Sequence, residues 1–84
     1  MILSWSRQAW ADYRHWERAD QRVRDKINTL VEDIQRHPFT GLGKPEPLKH
    51  QLAGAWARRI TREHRLVYRV QGKELQIVQC RYHY

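Results

Sequence analysis

The sequence predicts an α+β fold in which two N-terminal helices pack on one face of a small, mainly antiparallel twisted sheet, in the order β-α-α-β-β-β. Three observations support this expectation. Val23, Ile27, Leu30, Val31 and Ile34 recur at helical spacing with charged residues between them. Strand-like runs fill the C-terminal part, separated by turn residues. A stretch rich in proline and glycine, residues 38–54, divides the two parts. At 84 residues the chain has room for a single domain, 1–84.

Ile2 to Trp5 reads as a short opening strand, after which Ser6 can cap a helix of roughly three turns. Trp10, Tyr13 and Trp16 form one stripe on that helix, and aromatic residues at helical spacing are expected to be core rather than a base-stacking surface. Asp20 reads as the cap of the second helix, which should end near His37 because Pro38 cannot continue it. Residues 38–54 hold all three prolines and three of the four glycines and read as a loop, with Glu46 bracketed by Pro45 and Pro47. Long loops in a small domain usually carry function, and the flanking prolines favour a fixed pose for Glu46. Trp56 to Thr61, Arg65 to Gln71 and Leu75 to Tyr82 read as a three-strand meander. Alternation puts Leu66, Tyr68 and Val70 on one face and Arg65, Val67 and Arg69 on the other, giving an apolar side for the helices and an arginine-bearing side for a ligand.

Composition narrows the function. A net charge of +7 calls for an anionic partner: nucleic acid, an acidic protein or an anionic membrane. Twelve of the sixteen basic residues are arginine, the planar donor suited to phosphates and stacked bases. Cys80 is the single cysteine, which rules out an internal disulfide framework. Met1-Ile2-Leu3 runs at once into Ser4, Trp5, Ser6 and Arg7, without the ~7–15-residue apolar core of a signal peptide. Neither export nor membrane insertion is expected, and a cytoplasmic setting fits.

No glycine-rich phosphate fingerprint, HExxH or paired-cysteine site is present. Cys80 and His83 fall on opposite faces if the last strand continues, so no metal site is expected, and no cofactor. Cys80 itself reads as a packed strand thiol. There remains an acid/base set: Glu46 on the loop, Arg59 and Arg65 on strands, and the run Arg81-Tyr82-His83-Tyr84. RNA cleavage needs a base for the 2′-hydroxyl proton, a cation for the phosphorane-like transition state and an acid for the 5′-oxygen. Glu, Arg and His can fill those roles, but spacing alone does not make them converge. A loop Glu is ordinarily solvated and a terminal His-Tyr pair ordinarily frays. His15, His37 and His64 lie among surface-like residues and receive no role.

The same residues resemble a known family. Gly43-Lys44-Pro45-Glu46-Pro47-Leu48-Lys49-His50, Arg58-Arg59-Ile60-Thr61, Glu63-His64-Arg65-Leu66-Val67-Tyr68 and Cys80-Arg81-Tyr82-His83-Tyr84 resemble the YoeB toxin family of the RelE/ParE superfamily, whose members pair with YefM antitoxins. The similarity spans the chain and includes Trp5, Trp10 and Trp16; Ala53 and Ala55 depart from the usual family residues. The resemblance implies a ribosome-dependent endonuclease that cuts mRNA in the A site, near 16S rRNA. By the same match, Glu46 is the general base and His83 the general acid. Arg65 stabilises the transition state, Tyr84 orients the scissile nucleotide, and Lys49 and Arg59 hold backbone phosphates. It further implies a YefM-like antitoxin whose C-terminal segment wraps the toxin, and a homodimer. Two other readings are a ParE-like, non-catalytic inhibitor of DNA gyrase and a passive RNA-binding protein. Glu46, Arg65 and His83, all present in matching motifs, weigh against the gyrase reading, while the charge alone would permit the passive one.

Overall fold

The computed structural model describes residues 1–84. Strand β1 (Ile2–Trp5) leads into helices α1 (Arg7–Ala19) and α2 (Gln21–Arg36). There follow β2 (Glu46–Pro47), a short 3₁₀ turn (His50–Leu52), β3 (Trp56–Arg59), β4 (Arg65–Gln71) and β5 (Glu74–Gln79). The five strands form one sheet in the order β1-β5-β4-β3-β2, antiparallel except for the parallel pairing of β1 with β5. No helix is long and apolar enough to cross a membrane.

The helices begin where the capping residues dictate. Ser6 Oγ accepts the Ala9 N–H at 3.0 Å and donates to the Val78 carbonyl at 2.6 Å, so the cap of α1 also ties the helix to β5. Asp20 closes α1 and opens α2, its carboxylate accepting the Arg22 N–H. The α2 stripe of Ile27, Leu30 and Ile34 is fully buried against Leu66, Tyr68, Leu75 and Ile77 of the sheet. Each such side chain contributes about 1.5–3 kcal/mol by leaving water. The α1 stripe is only partly core: Trp16 is buried, Tyr13 half-buried, and Trp10 remains 47% exposed. Trp10 stacks on Tyr13, and both pack against Trp5 of β1, forming an aromatic surface cluster beside the edge strand.

Three boundaries differ from the sequence reading. Residues 38–54 are not all loop, because Glu46 and Pro47 pair with Ala57 and Trp56 and add an edge strand, where proline's missing donor costs nothing. Strand β3 stops at Arg59 rather than Thr61, since Ile60 and Thr61 donate their N–H groups to the His64 carbonyl in a turn. Strand β5 stops at Gln79 rather than Tyr82, so strand alternation does not extend to His83.

Arg58 is fully buried on the helix side of the sheet. Its Nη1 donates to Asp33 Oδ2 at 2.5 Å and to the Leu42 carbonyl at 3.0 Å, and its Nη2 donates to the carbonyls of His37 and Thr40. Nε reaches the Tyr68 hydroxyl, which itself donates to the Pro38 carbonyl at 2.6 Å. The segment after α2 is thereby held to β3 and β4. Gly41 (φ 108°) sits where any Cβ would run into the Asp33 carboxylate. At Gly43 (φ 77°) the carbonyl accepts the Arg59 N–H at 2.7 Å, and the chain passes into β2.

Replacing Arg58 with Met removes the donor from the carbonyls of His37, Thr40 and Leu42 and the cation from Asp33, which keeps only the Leu42 N–H. The variant should lose about 3–5 kcal/mol of stability, a fall in Tm of more than about 10 °C for a domain of this size, readable by thermal melting. Asp33 is held below the ordinary carboxylate value, first by the Leu42 N–H and then by Arg58. A carboxyl whose folded pKa lies below its unfolded one stabilises the fold above the unfolded value, and that contribution disappears as pH falls through the folded value. Asp33→Asn should therefore be less stable than the parent at neutral pH and converge on it in acid, as read from urea midpoints across the acid range. A gap that stays constant with pH would contradict this.

Candidate active site

The functional face follows from strand alternation. Glu46 on β2 pairs with Ala57 on β3, which pairs with Val67 on β4, and Arg59 pairs with Arg65. Paired residues share a face, as do residues two apart on a strand, so Glu46, Arg59 and Arg65 emerge on the side away from the helices. Arg58, between Ala57 and Arg59, points the other way into the core. The floor of the site face is a second apolar cluster of Leu48, Ala55, Ala57 and Val67, with Leu52 and Val78 packed at its margin. The expected ligand face is thus partly covered by the returning segment 48–55, and of its arginines Arg59 is exposed, Arg69 half-buried and Arg65 buried.

Arg65 is 9% exposed and sharply oriented. All its side-chain hydrogen bonds run through Nη1, to the carbonyls of Thr61, Arg62 and His64 at 2.8–3.2 Å. One edge of the guanidinium is fixed by the β3–β4 turn, and the opposite edge stays uncommitted, as a phosphate-binding arginine requires. Arg59 opposite it is exposed.

After β5 the chain is pinned at Cys80. Its N–H donates to Asp12 Oδ2 and its carbonyl accepts Trp16 Nε1, both partners on α1. Burial, aided by Asp12, pushes the Cys80 thiol up to about 12, which leaves it an inert packed thiol. Tyr82 then adopts a left-handed backbone (φ 65°), donating its N–H to His64 Nδ1 at 2.7 Å and accepting the Arg65 N–H on its carbonyl at 3.0 Å. The turn carries Tyr84 back over β2, where its hydroxyl donates to Glu46 Oε1 at 2.5 Å. That hydrogen bond, chiefly, raises the Tyr84 phenol above its ordinary value, with burial assisting and Arg65 and Arg59 opposing. Both arginines are therefore within electrostatic reach of the tyrosine. His83 is exposed, with Nδ1 3.2 Å from the Tyr84 main-chain oxygen and its ring against the Tyr84 ring.

Glu46, Arg59, Arg65 and Tyr84 are thus brought together, and Lys49 joins Glu46, Leu48, His50 and Tyr84 along a cleft of about 330 Å³. His83 stands beside Tyr84 without lining the cleft, and it hydrogen-bonds neither Glu46 nor Arg65. Three residues carrying this arrangement had no role in the sequence reading: Arg58, His50 and His64. Arg58 was discoverable, since adjacent residues on a strand face opposite ways and one of Arg58 and Arg59 had to enter the core. His50 and His64 gave no local signal. Chemically, the face offers a carboxylate that can accept a proton, guanidiniums that can bear on an anionic phosphate, and an imidazole that can give a proton.

Residues 5–84 match the family model described as a YoeB-like toxin of bacterial type II toxin–antitoxin systems. The chain is 57% identical to Toxin YoeB of Escherichia coli (strain K12), over the full length of both. It superposes on a YoeB/ParE toxin from Agrobacterium tumefaciens with a TM-score of 0.98 at 55% identity, covering all of both chains. YoeB from Staphylococcus aureus, solved as a dimer, aligns with a TM-score of 0.93 at 42% identity over all of this chain and 98% of that one. The same toxin is also known in a heterotetrameric complex with YefM. On this evidence the chain belongs to the YoeB-like toxins of bacterial type II toxin–antitoxin systems.

Proposed function

We propose that this toxin is a ribosome-dependent endoribonuclease that enters the A site and cuts the mRNA codon there by metal-independent acid/base catalysis. The observation that carries the proposal is the hydrogen bond from Tyr84 to Glu46, on the face that bears Arg59 and Arg65. It joins the carboxylate of edge strand β2 to the C-terminal run across a sequence separation of 38 residues.

Glu46 takes the proton of the 2′-hydroxyl, which attacks the adjacent phosphorus. Arg65 stabilises the charge of the phosphorane-like transition state with its free guanidinium edge. His83 protonates the departing 5′-oxygen as the P–O bond breaks, leaving a 2′,3′-cyclic phosphate and a 5′-hydroxyl. In the free protein the Tyr84 hydroxyl occupies the acceptor on Glu46 that the 2′-hydroxyl would use, so substrate binding exchanges one O–H donor for another. Tyr84 is then free to orient the nucleotide. Lys49 and Arg59, both exposed, hold flanking phosphates.

The basic face serves a second partner in turn. A YefM-like antitoxin with an acidic segment can fold over the same arginines, in keeping with the complex known for the S. aureus relative. Homodimerisation is likewise proposed, in line with the dimer of that relative. The cytoplasm is the compartment in which translating ribosomes and such a partner are met.

Purified protein added to programmed ribosomes, followed by primer extension on the message, should reveal a cut within the A-site codon. Inhibition of gyrase supercoiling without a cut would replace this reading with the ParE-like one. Glu46→Ala and His83→Ala should each lower cleavage about 10²–10⁴-fold while circular dichroism and Tm stay at parental values. Cleavage should also weaken as salt rises, because phosphate contacts release counterions, and a salt-independent rate would count against direct RNA engagement.

A further inference from the structure

His64 received no role from the sequence, yet it holds the backbone of the segment that carries His83 and Tyr84. Its Nδ1 accepts the Tyr82 N–H at 2.7 Å, which requires the neutral ring with its proton on Nε2. The ring is oriented by Trp16 of α1, edge to face at a centroid distance of 4.8 Å, and Tyr82 packs on it at 5.8 Å. Trp16 also donates to the Cys80 carbonyl, so one helical side chain fixes both the start of the tail and the imidazole that receives its turn.

The next residue completes the grip. The Arg65 N–H donates to the Tyr82 carbonyl, so both main-chain polar groups of Tyr82 are held by His64 and Arg65. The His64 carbonyl in turn accepts Arg65 Nη1. Tyr82 needs such a grip, because a non-glycine residue at φ 65° is strained and persists only where its surroundings impose it. Without the His64 acceptor, the Tyr82 N–H has no other partner in the chain, and the left-handed turn that returns Tyr84 to Glu46 loses half its support.

We propose that His64 is a positioning residue: it latches the Tyr82 turn so that His83 and Tyr84 are presented to Glu46 and Arg65 in one preorganised arrangement. The inference rests on the nuclease reading for its catalytic consequence, but the latch itself is a property of the free protein. Its effect falls on turnover rather than on ribosome binding, since His64 lies among neither the exposed phosphate contacts nor the cleft walls.

Two variants of the full chain separate the latch from simple packing. His64→Leu keeps apolar bulk against Trp16 but offers no acceptor, and His64→Asn returns an acceptor oxygen near the place of Nδ1. Amide hydrogen exchange of ¹⁵N-labelled protein should show the Tyr82 N–H protected in the parent, exposed in His64→Leu and protected again in His64→Asn. With programmed ribosomes, His64→Leu should lower kcat about tenfold at unchanged KM, and His64→Asn should restore most of it. A Tyr82 amide that is unprotected in the parent, or a His64→Leu protein with parental Tyr82 protection and kcat, overturns the proposal. If His64→Leu does not fold, the one-bond test remains in the parent: a His64 ¹⁵Nδ1 resonance of the protonated type at neutral pH overturns the latch, and one of the acceptor type supports it. Should the parent fail to cut message, the nuclease reading falls while the exchange and resonance data still decide the latch.

Discussion

The structure depends most on one buried arginine. Arg58 enters the core from β3, one strand in from the β2 edge of the sheet, and directs its donors to Asp33, three main-chain carbonyls and Tyr68. Burying a guanidinium costs several kcal/mol, so its contribution lies less in net stability than in allowing only one path for the chain after α2. His37, Thr40 and Leu42 must present their carbonyls to it, and that path delivers Gly43 to the Arg59 N–H and Glu46 to its place opposite Ala57. The position of the proposed catalytic base is in this sense set from the far side of the sheet.

The site face accepts arrangements that the core would not. Arg59 and Arg65 are directly paired across β3 and β4, and like charges opposite one another destabilise a sheet. The pair is tolerated because three carbonyls of the β3–β4 turn hold Arg65, and because an anionic ligand would relieve it. Backbone strain gathers in the same place. The non-glycine residues with positive φ are Lys44, His50 and Tyr82, and each adjoins a segment that lines or approaches the cleft. Conformations of this kind cost about 1–3 kcal/mol each and are retained where geometry matters more than stability.

Local pattern was a good guide wherever burial follows from direction along the backbone. The α2 stripe, both helix caps and the two faces of β4 are as the residues suggest. The pattern was less informative where burial depends on what lies opposite. Trp10, Tyr13 and Trp16 share one stripe, but only Trp16 is buried, against His64 and the Cys80 carbonyl, while Trp10 packs beside Trp5 of the edge strand β1 and stays exposed. Glu46-Pro47 has no strand signature, since pairing was imposed by the carbonyl contact at Gly43 and by the open edge of β3.

The chain alone specified the two helices, the three-strand meander and the face on which the residues of those strands emerge. These are local properties, read from side-chain periodicity and from capping and turn residues whose effects reach only a few positions. Tertiary structure alone decided which residues meet. Tyr84 reaches Glu46 from 38 positions away and Tyr82 reaches His64 from 18, along paths that no periodicity encodes. Those encounters depend on where buried polar groups such as Arg58 and Asp12 find their partners, and that is settled only when the whole chain closes around them.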